Sequence, residues 1–195
     1  MADPEVRSAP VEAGTFGALR TSRALAIGTS VRIVASPVIL ALLLGHDWTV
    51  AAILFLVAAA TDFLDGQLAR RWEVTTKFGS FLDTTADKLL VATALLGLLA
   101  VNRVSPWVAF VIIAREFTIL GLRAAVSASG SQFETSRFGK WKATLQFVAI
   151  ALAMLHPDVV IGGAYLDQWL MALTAAITAW SGIDYLIHSA DALRS

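Results

Sequence analysis

Six mostly apolar stretches follow one another along the chain, separated by short runs of polar and turn-forming residues. The stretches lie near residues 24–45, 48–70, 80–101, 106–127, 140–155 and 167–187. An α-helix needs about 20 predominantly apolar residues to cross a bilayer, and most of the stretches approach that length. The pattern therefore predicts an all-α, polytopic membrane protein with six transmembrane helices.

The chain before the first stretch is polar and acidic. Residues 1–15 contain acidic residues and prolines but no apolar core of a signal peptide, so we expect a disordered cytosolic tail. Residues 16–25 fit either a short interfacial helix, with two arginines facing phosphate head groups, or a plain linker. We therefore predict one six-helix catalytic domain over residues 16–190 and a cytosolic C-terminus at 191–195.

The composition excludes several classes of protein. Apolar residues make up 57% of the 195 residues and charged residues only 15%, against about 25% charged in soluble domains. The mean hydropathy of +0.70 is far too high for a disordered chain. The chain has no cysteine and a formal net charge of zero, so neither a disulfide framework nor nucleic-acid binding is indicated.

The positive charges indicate an orientation. They cluster before the first stretch, after the second, around the start of the fifth and after the sixth: Arg7, Arg20, Arg23, Arg70, Arg71, Lys77, Arg137, Lys140, Lys142 and Arg194. The connections on the other side carry only Arg103. Because cytoplasmic loops carry the excess of Lys and Arg, both termini are predicted to be cytosolic in a protein of the cell (inner) membrane.

Ionisable residues also interrupt the apolar stretches, mostly toward their predicted cytosolic ends. They are Arg32, Asp62, Asp65, Asp83, Asp87, Lys88, Arg115, Glu116 and Arg123. Such groups are costly at membrane depth and usually line a site or a pathway. The sequence therefore predicts a polar chamber that opens to the cytosol.

Four aspartates stand out on either side of one short connection. Asp62 and Asp65 are three residues apart and Asp83 and Asp87 four apart, so each pair shares one face of a helix. We expect the two helices to be antiparallel neighbours whose carboxylates meet.

Four clustered carboxylates need counter-charge, and two divalent cations would balance their formal charge of −4. Oxygen ligands without a nearby His or Cys favour Mg²⁺ or Mn²⁺. Two such ions commonly support in-line displacement at phosphorus. The alternative is that the aspartates cap helices or pair with Arg70, Arg71 and Lys88.

The stretch from residue 62 to residue 87 resembles the signature of the CDP-alcohol phosphatidyltransferase family. The signature D-x-x-D-G-x-x-A-R-x8-G-x-x-x-D-x-x-x-D matches at every fixed position. The resemblance implies six transmembrane helices, a homodimer, and a divalent-metal site at the cytosolic face. Members transfer a phosphatidyl group from a CDP-linked lipid to an alcohol and release CMP.

The resemblance also implies roles for individual residues. The metal ligands would be Asp62, Asp65, Asp83 and Asp87, with Asp62 also near the nucleotide and Asp87 also the general base. The rest of the nucleotide-binding set would be Gly66, Ala69, Arg70 and Gly79. The small residues would let the cytidine approach closely, and Arg70 would contact the CDP moiety.

Further cations point to the acceptor alcohol. Arg115, Arg123, Lys140 and Lys142 suit a phosphorylated acceptor, because Arg offers bidentate donors to phosphate. Alternatively, the lysines only set topology. Arg115 would then pair with Glu116, which we expect to be weak because adjacent helical residues point apart.

The sequence around these cations resembles the phosphatidylglycerophosphate synthase branch of the family. The matching segments are Ala114-Arg115-Glu116-Phe117 with Leu122-Arg123, Gly139-Lys140-Trp141-Lys142, and Thr29-x-x-Arg32 with Pro37 in the first stretch. This resemblance implies CDP-diacylglycerol as donor, sn-glycerol 3-phosphate as acceptor, and membrane lipids as surroundings. Inositol phosphate or phosphatidylglycerol remain alternative acceptors. A divalent-cation transporter is the alternative from another class, and the one-sided placement of the charges disfavours it.

Overall fold

The computed structural model describes residues 12–72, 77–128 and 137–194, and the side chains of residues 28–61, 81–125 and 141–186. These residues form six α-helices, which confirms the all-α class. The helices are α1 (Glu12–Leu44), α2 (Trp48–Trp72), α3 (Lys77–Ala100), α4 (Pro106–Ala128), α5 (Arg137–Leu155) and α6 (Leu166–Arg194). A short antiparallel hairpin, β1 (Val160–Ile161) and β2 (Ala164–Tyr165), joins α5 to α6.

The helices end close to where the sequence pattern places the breaks. Three of the chain reversals use a residue other than glycine in the left-handed region: His46, Asn102 and His156 have φ of 68°, 57° and 46°. A left-handed residue after the last turn lets amide groups return to the final helical carbonyls, as His156 N–H does to Leu152 O at 2.8 Å. The turn residues thus stop α1, α3 and α5.

The first and last helices extend beyond the apolar stretches toward the two ends of the chain, and the predicted segments 1–15, 16–190 and 191–195 stay predictions. Helix α1 begins at Glu12, inside the segment predicted to be a disordered tail, and continues without a break into the first apolar stretch. Helix α6 likewise runs on to Arg194, through most of the predicted C-terminal segment 191–195. Residues 1–11 lie outside the described residues.

Helix α1 packs against two neighbours, α2 and α3. In the part of the chain described, α2 and α3 each pack mainly on α1, while α6 packs on α4 and α5. The sequence analysis expected α2 and α3 to pack directly on each other, and this is wrong for their described parts, where the two helices barely touch. The buried core includes Ile39, Leu43, Phe55, Leu90 and Leu95.

A glycine allows α1 and α3 to lie close together. A Cβ atom added at Gly97 would lie 2.5 Å from Leu43 Cδ1 and 3.3 Å from Leu43 Cβ, which is too close for any other residue without a shift. Small residues let helix backbones approach in this way. The close approach brings the polar residues of α1 within reach of the aspartates of α3.

Among the residues with a described structure, no helix is both long enough and apolar enough to cross a membrane. The six transmembrane spans therefore stay a prediction.

Candidate active site

Asp83 and Asp87 lie one turn apart on α3 and share a buried partner on α1. Arg32 donates from Nη2 to Asp83 Oδ1 and from Nη1 to Asp87 Oδ1. The third guanidinium nitrogen, Nε, donates to Gly28 O at 3.3 Å. One arginine side chain thus joins both carboxylates to the backbone of α1.

Other polar residues on the same face of α1 support this contact. Thr29 Oγ1 donates to Asp83 Oδ1 at 3.1 Å. Ser36 Oγ donates to Arg32 O at 2.8 Å. Residues 29, 32 and 36 follow the three-and-four spacing of one helix face. The polar face of α1 is therefore turned toward the aspartates of α3.

The three charged side chains are buried to different degrees. The Arg32 side chain is 1% exposed, whereas those of Asp83 and Asp87 are each 25% exposed. The guanidinium therefore approaches from the interior, and the carboxylates remain partly accessible to solvent.

The donor chemistry fits a hard divalent cation. Carboxylate oxygens are the ligands that Mg²⁺ and Mn²⁺ prefer. Among the described residues, no three His, Cys or acidic side chains lie close enough together to hold a metal ion. Asp62 and Asp65, the other two predicted ligands, lie on α2, and their side chains fall outside the described residues.

Several further predicted site residues have helical backbones, but their side chains also lie outside the described part. These are Gly66, Ala69 and Arg70 on α2, Gly79 on α3, and Lys140 on α5. Their roles stay predictions.

An ion-pair network links α4 to Lys88 of α3, the residue that follows Asp87. Glu116 is 4% exposed. Its Oε1 accepts a hydrogen bond of 2.9 Å from Arg115 Nη1, and its Oε2 pairs with Lys88 Nζ of α3. The network therefore ties α3 to α4 immediately beside Asp87.

Arg115 and Glu116 do pair, although the sequence analysis expected such a pair to be weak because adjacent helical residues point apart. Arg115 has a long, flexible side chain, so its guanidinium reaches back although the two Cβ atoms diverge. A Cβ atom at Gly182 of α6 would lie 3.0 Å from Arg115 Cγ. The missing side chain at Gly182 gives Arg115 the room for this conformation.

The remaining described cations of the predicted acceptor site are less buried. Arg123 is exposed, two turns further along α4, and Lys142 is partly exposed near the start of α5. Nothing in the structure tests whether they act with Arg115.

A second polar cluster lies beyond the opposite end of α3 from Asp83. His156 Nδ1 lies 2.9 Å from Oδ2 of the fully buried Asp167. Arg103 Nη1 donates to Met154 O at 2.6 Å, and its guanidinium carbon lies 3.8 Å above the Trp48 ring. Burial lowers the pKa of Arg103, and the Asp167 carboxylate partly offsets that shift. The sequence analysis missed this cluster because its members come from elements that are far apart in the sequence.

Comparison with known proteins identifies the family. Residues 26–180 match the family model described as CDP-alcohol phosphatidyltransferase. The chain belongs to the CDP-alcohol phosphatidyltransferase family. The resemblance seen in the residue 62–87 signature is thereby confirmed, and the match includes Arg32 and both described aspartates.

Relatives within this family share one name, CDP-diacylglycerol--glycerol-3-phosphate 3-phosphatidyltransferase. The Bacillus subtilis protein is 37% identical over 148 residues, covering 74% of this chain and 75% of its own length. The Escherichia coli K12 protein is 43% identical over 141 residues, covering 70% and 76%. The Sodalis glossinidius protein is 40% identical over 155 residues, covering 76% and 84%.

Proposed function

We propose that the protein transfers the phosphatidyl group of CDP-diacylglycerol to sn-glycerol 3-phosphate, giving phosphatidylglycerophosphate and CMP. The observation that carries this proposal is the shared name of relatives 37–43% identical to the chain over most of its length. The paired, partly exposed carboxylates of Asp83 and Asp87 are consistent with it, because they lie within the family signature.

Two divalent ions, Mg²⁺ or Mn²⁺, would be held by Asp62, Asp65, Asp83 and Asp87. Bound there, they would neutralise the diphosphate and the departing CMP. The oxygen-only donor set at Asp83 and Asp87 supports a hard cation, and the two-ion count rests on the signature.

The protein's own residues position the substrates and move one proton. Asp87 takes the proton from the 1-hydroxyl of glycerol 3-phosphate. The hydroxyl oxygen then forms a bond to the lipid-linked phosphorus, while the bond from that phosphorus to the CMP oxygen breaks. Arg32 orients Asp87 by donating from Nη1 to its Oδ1. The rate enhancement derives from positioning and charge stabilisation.

On the nucleotide side, Asp62, Gly66, Ala69, Arg70 and Gly79 would hold the CDP moiety. On the acceptor side, Arg115, Arg123, Lys140 and Lys142 would bind the phosphate of glycerol 3-phosphate.

We propose that the protein lies in the cell membrane and crosses it six times. Both termini and the active site would face the cytosol, and the working unit would be a homodimer. Support comes from large apolar side chains that remain more than half exposed on several helices, among them Val34, Ile53, Phe110 and Leu173. In water such surfaces are unfavourable, whereas acyl chains would cover them.

The function can be tested by measuring CMP release from purified protein in CDP-diacylglycerol micelles. The acceptors compared are glycerol 3-phosphate, inositol phosphate and phosphatidylglycerol, each with Mg²⁺, with Mn²⁺ and with excess EDTA. We expect release only with glycerol 3-phosphate and a divalent ion. Asp87→Asn should abolish it, while Asp158→Asn, the same change at an exposed loop position, should not.

Release with another acceptor alone would overturn the choice of alcohol. Full release in EDTA would overturn the metal site.

A further inference from the structure

The Asp83–Asp87 pair already has a cation of its own. Arg32 contacts Oδ1 of both carboxylates, and Thr29 adds a hydrogen bond to one of them. Both contacts come from the interior side, behind the partly exposed face that a metal ion would approach. Arg32 is therefore a fixed part of the electrostatics at this site.

The buried Arg32 and the two carboxylates each stabilise the charge of the other. A guanidinium that is 1% exposed has lost its hydration and needs paired anions. Two carboxylates one turn apart on α3 repel each other and need a cation between them. The planar guanidinium fork supplies two donors at fixed separation, which a lysine ammonium does not.

We propose that Arg32 is the resident counter-charge of the metal-binding carboxylates. It orients both carboxylates and offsets part of their charge when no metal is bound, stays behind them when metal binds, and thereby lowers the affinity for metal. This inference rests on the proposed function, because it takes Asp83 and Asp87 as metal ligands. Arg32 acts through the two aspartates and is a positioning residue.

Two opposite consequences follow from removing the charge. Without the guanidinium, the repulsion between the two adjacent carboxylates is less well offset in the metal-free protein, which should therefore unfold more easily. The same loss removes a repulsion on the incoming ion. A unit charge about 5 Å from a divalent ion repels it, even in bulk water, strongly enough to change the affinity by about tenfold.

The experiment measures the thermal midpoint of the purified protein against Mn²⁺ concentration, without substrate. Wild type is compared with Arg32→Gln, which removes the charge, and Arg32→Lys, which keeps the charge but loses the fork. Arg103→Gln is the matched control, because Arg103 is a partly buried arginine in the second polar cluster, away from the aspartates.

Arg32→Gln should lower the midpoint strongly without metal, recover most of the loss at saturating Mn²⁺, and reach half-saturation at about tenfold less Mn²⁺ or below. Arg32→Lys should lower the midpoint without metal and keep a half-saturation close to wild type. Arg103→Gln should shift the midpoint equally at every Mn²⁺ concentration.

An equal loss at all Mn²⁺ concentrations for Arg32→Gln, with unchanged half-saturation, would mean that Arg32 only ties α1 to α3 and would overturn the inference. An Arg32→Gln protein that stays unfolded at saturating Mn²⁺ would do the same, because metal then fails to replace the missing charge. So would a large change of half-saturation in Arg32→Lys. If wild type itself shows no response to Mn²⁺, the proposed metal site fails and this inference fails with it.

Discussion

Glu116 is the best place to perturb the link between α3 and α4 without touching the aspartates. It is 4% exposed and shared by two cations, Arg115 beside it and Lys88 across from it on α3. The variant Glu116→Gln keeps the size and shape of the side chain and removes only its charge. The two cations then lie close together without their common anion.

The expected loss follows from the burial of the three groups. Removing one partner of a buried ion pair costs about 3–5 kcal/mol, because the other charge remains buried and unpaired. The side chains of Lys88 and Arg115 are 25% and 22% exposed, so water takes up part of their charge. We therefore expect Glu116→Gln to lower the free energy of unfolding by about 1–3 kcal/mol.

The assay is denaturant unfolding in detergent, with Asp158→Asn as an acid-to-amide control at an exposed position. A Lys88→Met/Glu116→Gln double variant should lose less stability than the two single variants together, because the lone cation is removed with its anion. A Glu116→Gln protein within about 0.5 kcal/mol of wild type would refute the reasoning, since surface substitutions fall in that range.

The same variant separates a structural role from a role in acceptor binding. If Arg115 binds the acceptor phosphate, losing Glu116 frees its guanidinium from the observed orientation. We then expect a raised KM for glycerol 3-phosphate with little change in kcat, since uniform binding is weakened. An unchanged KM alongside lower stability would restrict Arg115 to the ion-pair network.

Three further results are expected. Asp83→Asn and Asp87→Asn should each lose most turnover in the CMP-release assay while the protein remains folded; near-wild-type rates would remove them from the active site. Arg123→Ala and Lys140→Ala should each raise KM for glycerol 3-phosphate by about 10- to 150-fold, because a charged hydrogen bond contributes about 1.5–3 kcal/mol. KM for CDP-diacylglycerol should stay unchanged and serves as the internal control. A normal KM for the acceptor in both variants would mean that these cations only set the membrane orientation. Gly97→Ala should lower the thermal midpoint, because its Cβ would meet Leu43, whereas Gly121→Ala, at a helical position with open space, should not.

The helices were predictable because their boundaries have local causes. The breaks at residues 46–47 and 102–105 contain turn-forming or charged residues, and the structure stops α1 and α3 there. The start of α1 was not predictable in this way. Residues 12–23 carry no continuous apolar pattern, so hydropathy gave no reason to extend the helix to Glu12.

The sequence predicted the Asp83–Asp87 pair of the site but not its contact with Arg32. Spacing along α3 placed Asp83 and Asp87 on one face, and the structure confirms that they lie side by side. Arg32 lies 51 and 55 residues away from them. Periodicity shows which residues share a face of one helix, but not which faces meet, and the contact of α1 with α3 depends on the close approach at Gly97. A signal was present nonetheless, since Thr29, Arg32 and Ser36 form a polar face within an apolar stretch.

Counting Arg32 also changes the expected charge balance of the proposed two-ion site. Four aspartates alone carry −4, which two divalent ions would neutralise, but the guanidinium reduces the acidic charge to −3. With both ions bound, the proposed site would then carry a net charge of +1. A residual positive charge attracts the diphosphate of a CDP-lipid and stabilises the charge that develops on the departing CMP. With one ion bound the proposed site would carry −1 and would repel that diphosphate. Without the guanidinium the corresponding charges would be −2 and 0, so Arg32 is what would give the doubly loaded site a net positive charge. We therefore expect CMP release to rise more steeply than first order with metal concentration at low occupancy.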